Sequence, residues 1–269
     1  MSLRLISLNV WGGRIHAPLL RYLAGAEADV LCLQEVVRTA GFAADWLDYR
    51  DGDLVLPQRT HLFEEIRVAL PAHDGLFSPT ARGILFDGEN PVSSEFGLAT
   101  FVRNSLPIIG QAQDFVHGGF RADGWGAHPR ARNAHGIRLF HYAGGFPVTI
   151  VQIHGLRDVA GKGDTPARLA QAEALVDIVE RLWRCGERLI VCGDFNVLPD
   201  SVTFDALARL GLTDLVTTRG FTDTRTSLYE KPGRYADYML VTPNVEVVEF
   251  DVVAEPEVSD HRALMLRFK

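Results

Sequence analysis

Residues 188–196 read RLIVCGDFN: an apolar run, a Cys-Gly pair, then a carboxylate and an amide two positions apart. Leu189, Ile190 and Val191 suit a strand covered on both faces. Gly193 lets the backbone bend, or approach a neighbour, where a side chain would clash. Alternate residues of an extended chain point the same way, so Asp194 and Asn196 project together from the strand end. A carboxylate can take a proton from water or hold a metal, whereas an amide supplies donor and acceptor without changing charge. The same pair also builds an Asx turn, the commoner fate of Asp and Asn after an apolar run. The stretch alone establishes a buried strand and leaves its chemistry to its companions.

Upstream, residues 3–9 read as a first strand ending in Asn9, followed by a Gly12-Gly13 turn and a helix carrying Leu19, Leu20 and Leu23. A second strand over 29–33 ends at Glu35. This βαβ opening favours parallel neighbours that deliver polar residues to one edge. A short helix is expected at 43–47, and residues 50–82 show no clear period. Strands are expected at 83–86, 96–103, 107–115, 136–142 and 148–153, an antiparallel run by their turn residues. Asp164-Thr165-Pro166 starts a helix with a capping residue and Pro in the first turn. Its stripe of Leu169, Ala172, Val176, Val179 and Trp183 faces a sheet. After residues 188–196 come a short helix at 202–209 and strands at 235–241, 245–253 and 262–268.

The chain has 269 residues and no recognisable linker, which favours one domain over 1–269. With 27 basic and 34 acidic residues the net charge is −7, which argues against holding long nucleic acid by bulk electrostatics. Cys32, Cys185 and Cys192 are odd in number and lack metal-ligand spacing, so they read as reduced core residues. No apolar run approaches a membrane span or a secretory signal, and a cytoplasmic location is the default expectation.

The most basic segment, 117–135, reads HGGFRADGWGAHPRARNAH. As a loop it offers Arg130 and Arg132 as forks for phosphate oxygens and Trp125 as a stacking surface. A solvated loop with a tucked aromatic explains it equally well. Asn9, Glu35, His154, Asp194, Asn196, Asp237, Asp260 and His261 all fall at strand-to-loop transitions. Strand ends on one side of a sheet converge, so these residues can share a cleft. Glu35, Asn9 and Asp260 offer hard oxygens without sulfur, which suits magnesium or manganese rather than zinc.

The motifs LNVW (8–11), LQEV (33–36), IHGL (153–156), GDFN (193–196), ADYMLV (236–241) and SDHRAL (259–264), in this order, resemble the endonuclease/exonuclease/phosphatase superfamily, whose fold is that of pancreatic deoxyribonuclease. The resemblance implies an α/β architecture: a four-layered α/β sandwich, two mixed β-sheets packed face to face with helices on the outside. It also implies roles. Glu35 would be the principal ligand of Mg2+ or Mn2+, with Asn9 beside it and Asp260 near. Asp194 would orient or deprotonate the attacking water, and Asn196 would hold the phosphate. His261 would face a phosphate oxygen as a cation or acid, oriented by Asp237, with His154 near the phosphate or leaving oxygen. Abasic-site endonucleases, one branch, carry an Asp where this chain has Trp11 and a Tyr where it has His154. The chain is nearer the branches with His: deoxyribonucleases, sphingomyelinases, inositol-phosphate phosphatases and tyrosyl-DNA phosphodiesterases. Arg168 and Gln171 resemble a pattern in several of these, and they also suit plain helix surface.

The expected activity is metal-dependent hydrolysis of a phosphodiester or phosphomonoester by in-line attack of water, with a small substrate favoured. A DNA or RNA nuclease is the alternative, and a non-catalytic binding module of the same fold is the reading from another class. Oligomeric state leaves no trace in the sequence.

Overall fold

The computed structural model describes residues 2–269. One mixed sheet is built from β1 (Leu3–Asn9), β2 (Val30–Arg38), β3 (Trp46–Asp51), β4 (Leu54–Arg59), β5 (His73–Asp87), β6 (Asn90–Arg103) and the two last strands, β13 (Val247–Val252) and β14 (Leu264–Phe268). The other contains β7 (Ile108–His117), β8 (Arg132–His141), β9 (Phe146–His154), β10 (Arg188–Asp194), β11 (Thr213–Asp214) and β12 (Asp237–Val241). β1 and β2 run parallel, as do β9 and β10, and the middle strands are antiparallel. The parallel opening and antiparallel middle expected from the sequence are both present.

Alternation along β1 and β2 sets the layers. Leu3, Leu5, Val30 and Cys32 join a core shared with β8, β9, β10 and β12 of the facing sheet. Ile6, Leu8, Leu31 and Leu33 point the other way, onto α1 (His16–Gly25) and α2 (Leu62–Ala69). On the far side, α3 (Pro166–Leu182) buries Ala172, Leu175, Val176 and Val179 in the core of the second sheet. Helix, sheet, sheet, helix is the four-layered sandwich. Because both faces of β1, β2 and β10 are covered, their sequences are nearly continuous apolar runs.

A polar chain crosses between the sheets inside this core. Gln34 Nε2 donates to Gln152 Oε1 at 2.9 Å, Gln152 Nε2 to Thr100 Oγ1 at 2.8 Å, and Thr100 Oγ1 meets His135 Nδ1 at 2.7 Å. Gln111 Nε2 donates to His135 Nε2 at 3.0 Å, so this ring is the Nδ1–H tautomer.

Three local expectations are corrected. The helix expected at 43–47 is absent; Trp46 instead opens β3, which pairs with β4 across a Gly52-Asp53 turn. Gly52 at φ 58° supplies the left-handed residue such a tight hairpin needs. The second strand does not stop near 33 but runs to Arg38, interrupted by a bulge between Leu33 and Val36. On α3, Leu169 is exposed and Trp183 lies just past the last turn, so the buried stripe is carried by Leu175 and Ile178 with the other three residues.

Candidate active site

The end of β10 is held so that its carboxylate meets its neighbours. Gly193 has φ 135°, and a Cβ there would lie 2.1 Å from the Ile153 carbonyl oxygen. Gly155 is as tight, with a Cβ falling 2.2 Å from Phe195 O, while Gly155 N donates to Asp194 O at 2.6 Å. Two glycines therefore let the ends of β9 and β10 close together. Asp194 is 2% exposed. Its Oδ1 accepts from Asn196 N at 3.0 Å and its Oδ2 from Asn9 Nδ2 at 3.0 Å. The Asx turn expected as the bland explanation is present, and it orients a buried carboxylate.

Trp11, Glu35 and Asn196 adopt φ 51°, 58° and 55°, three of the four non-glycine residues with positive φ among the described residues. Each costs about 1 kcal/mol or more in backbone strain and persists where surrounding structure imposes it, typically at functional sites. The β2 bulge turns Glu35 toward the cleft, where its side chain stays 27% exposed. Burial, then the Asp260 and Asp194 carboxylates, push Glu35 up to about 7, against the opposing pull of Asn9 and Arg132.

His261 lies three residues before β14, the strand that pairs with β1, and bridges Arg225. Its Nδ1 meets both oxygens of Asp237, at 2.9 and 2.8 Å, and its Nε2 stands 3.6 Å from Asp194 Oδ2. Arg225 Nη1 also touches Nε2. A guanidinium can only donate, so Nε2 is the acceptor and the ring proton sits on Nδ1. Burial, reinforced by Arg225, depresses His261 to about 4, and burial lifts Asp237 to about 7. In this arrangement burial and the Arg225 charge favour the neutral form of His261. His154, 4% exposed, is likewise held well below its usual value by burial and then by Arg132, and approaches Glu35 at 3.7 Å and Asp194 at 3.8 Å.

The structure brings Asn9, Glu35, His154, Asp194, Asn196, Asp237, Asp260 and His261 to one cleft, with residues from both sheets. Of the three residues expected to bind substrate, Arg132 joins them. It opens β8 rather than lying in a loop, is 8% exposed, donates from Nε to Gly155 O at 2.9 Å, and carries its charge beside Glu35 and Asp194. Arg130 does not join, because Tyr49 (2.5 Å) and Asp51 (3.1 Å) take its fork. Trp125 covers Gly83, donates to Ile84 O, and reaches His154 only through Phe96.

Helix α3 supports the cleft from outside. Arg168 and Gln171 are buried, not helix surface. Arg168 donates to the carbonyls of Leu156, Gly161, Gly163 and Asn196, and Gln171 Oε1 accepts from Leu156 N at 2.7 Å. They fasten the loop after His154 to the turn after Asp194.

Residues the sequence reading did not single out are Arg225 and Lys162. Lys162 donates to the carbonyls of Gly233 and Tyr235 and is lowered to about 8, first by burial and then by Arg225. Neither residue belongs to a strand end or a motif, and only tertiary pairing reveals them.

Asp194, Asp237 and His261 present ligand-type atoms within 4.8 Å of one another. His261 Nδ1 is already paired with Asp237 and Nε2 with Arg225, so a cation there would displace one of these contacts. Glu35, Asn9 and Asp260 could offer hard oxygens instead, and a dication beside Glu35 would relieve its repulsion by Asp260.

An Endonuclease/exonuclease/phosphatase structure from Bacteroides vulgatus is similar over 100% of this chain and 99% of its own, with TM-score 0.69 and 19% identity. A mannosyl-6-phosphatase from Bacteroides thetaiotaomicron VPI-5482 is similar at TM-score 0.68 and 18% identity, over 99% of each chain. D. rerio TDP2, solved with a single-stranded DNA product, is similar at TM-score 0.66 and 14% identity, over 100% of this chain and 99% of that one. No curated protein sequence matches the chain. The model of the Endonuclease/Exonuclease/phosphatase family matches residues 6–261, spanning every element that supplies the cleft, and the chain belongs to that family.

Proposed function

We propose that this protein is a divalent-metal-dependent phosphoesterase that hydrolyses its substrate by in-line attack of water. The observation that carries the reading is the fixed Asp194: a buried carboxylate oriented by Asn9 and the Asn196 amide, 3.6 Å from a His261 that Asp237 orients in turn. Asp194 positions the water and receives its proton, a role geometry must set before acidity matters. Asn196 Nδ2, only loosely held by Gly155 O at 3.4 Å, is available to donate to a phosphoryl oxygen. Arg132 offers positive charge on the same side. Glu35, with Asn9 and Asp260, would hold Mg2+ or Mn2+, which when bound supplies Lewis-acid stabilisation of the phosphoryl oxygens.

A small phosphoester is the favoured substrate. Arg130 is spent on Asp51, and the chain's net charge of −7 opposes a long polyanion. The mannosyl-6-phosphatase similarity is in keeping with that choice. Exposed Arg157, whose charge reaches His154 and Arg132, supports a nuclease as the second reading.

The test is hydrolysis of an aryl phosphodiester and an aryl phosphomonoester with Mg2+, with Mn2+ and after chelation. Metal-dependent turnover is expected, with Asp194→Ala and His261→Ala each lowering kcat by about a hundredfold or more. Turnover that survives both substitutions sinks the mechanism. Plasmid nicking with steep salt dependence, faster than turnover of the small esters, would select the nuclease.

A further inference from the structure

Arg225 is built into the cleft with more care than an ion pair requires. Residues 223–226 run antiparallel to 259–262: Arg225 bridges His261, Thr226 N donates to Asp260 O at 3.2 Å, and Arg262 N donates to Thr224 O at 2.9 Å. The Arg225 amide donates to Asp223 Oδ1 at 2.6 Å, and its carbonyl accepts from Arg234 Nη2 and Arg262 Nε, both at 2.9 Å. The guanidinium lies 4.3 Å from the centre of the Tyr229 ring, and the residue is 5% exposed. Backbone and side chain are both fixed, so the charge has one location.

Its hydrogen bonds are incomplete. Nη1 serves Asp260 Oδ2 at 3.0 Å and His261 Nε2. Nε is buried without an acceptor, and among the described residues Nη2 has none either. A buried guanidinium with open donors is costly unless something anionic completes it. The position of the bonded Nη1 is informative: His261 Nε2, which it touches, stands 3.6 Å from Asp194 Oδ2. A phosphorus attacked by water on Asp194, and contacted by Asn196, would place a non-bridging oxygen within reach of Arg225. The planar fork suits such an oxygen pair better than an ammonium does.

We propose that Arg225 is a catalytic residue that binds a non-bridging phosphoryl oxygen of the substrate, its contact with His261 Nε2 being the resting arrangement that the phosphate replaces. This rests on the phosphoesterase reading above. It gives the cleft a second positive charge beside that of Arg132, both acting on Asp194. A residue that merely tied Asp260 to the loop at 223–234 would have no need of a second contact, with His261.

Binding of inorganic phosphate, measured by calorimetry on the whole protein, tests the assignment independently of turnover. If no ester is hydrolysed, the phosphoesterase reading fails while the phosphate titration still decides about Arg225. Arg225→Ala should weaken phosphate binding by about tenfold or more. Where turnover is measured, it should lower kcat by about a hundredfold, with partial restoration by added guanidinium ion. Its unfolding temperature should stay within about 3 °C of the parent. Should the Ala variant not fold, Arg225→Lys keeps the charge near Asp260 but not the fork, and its phosphate binding should be weaker by about threefold or more. Phosphate affinity unchanged in a folded variant overturns the proposal. So does a loss that follows only the unfolding temperature and that guanidinium does not repair.

Discussion

Asp237 is 2% exposed and spends its carboxylate on the Nδ1–H of His261. Asn in its place keeps the shape, but its amide can present a donor to Nδ1 and so favour the wrong tautomer or a tilted ring. Asp237→Asn is expected to lower kcat by about a hundredfold or more, with KM changed little. Steady-state kinetics at saturating metal checks this, and a rise in KM alone would show that the dyad serves binding. The acid, amide and histidine types were legible in the sequence because chemistry at phosphorus draws on few side chains. Arg225 was not: its partner segment is more than thirty residues distant, and nothing local to TDTRTS distinguishes it. Arg130 misled for the converse reason. Its basic neighbourhood was visible, whereas Asp51 and Tyr49, which neutralise and occupy it, lie on a hairpin with no clear period.

Among the elements, those covered on both faces were read well. β1, β10 and the shared stripe of α3 announce themselves as apolar runs or three-four spacings. The β2 bulge was invisible because Val36 and Val37 continue the apolar run on either side of Glu35, so nothing in composition marks the extra residue. The start of the β3–β4 hairpin reads as a helix in the sequence because the alternation of buried Leu47 between outward residues is short. Helix α3 carries a consequence beyond packing. Arg168 is 1% exposed and joins four carbonyls of two separate turns. Arg168→Met leaves those acceptors without a donor, and an expected cost of about 3 kcal/mol follows from the loss of a buried network. Urea unfolding should show it as a lower midpoint at unchanged slope. Activity should fall as well, because the loop after His154 loses its anchor.

At the scale of the whole molecule, the two sheets are joined by apolar contacts and by the chain from Gln34 through Gln152 and Thr100 to His135 and Gln111. One shared core predicts one cooperative unfolding transition, seen alike by calorimetry and circular dichroism. Burial lowers His135 from 6.5 to about 4. The unfolded chain therefore takes up this proton first as pH falls. Its contribution is fully present above pH 6.5, is lost between 6.5 and about 4, and amounts to about 3 kcal/mol. His135→Gln should flatten the stability profile across that window relative to the parent. An identical slope in both proteins would show that His135 titrates normally.

The order of strands has a consequence in time. The chain lays down β1 to β6, then the whole second sheet, and only then returns to the first with β13 and β14, seating His261 beside the end of β1. During synthesis, which delivers N-terminal segments first, Asn9, Glu35 and Asp194 emerge long before the imidazole that completes them. On the proposed mechanism, a ribosome-bound chain stalled before residue 259 is expected to be hydrolytically silent, however much of its core has already condensed.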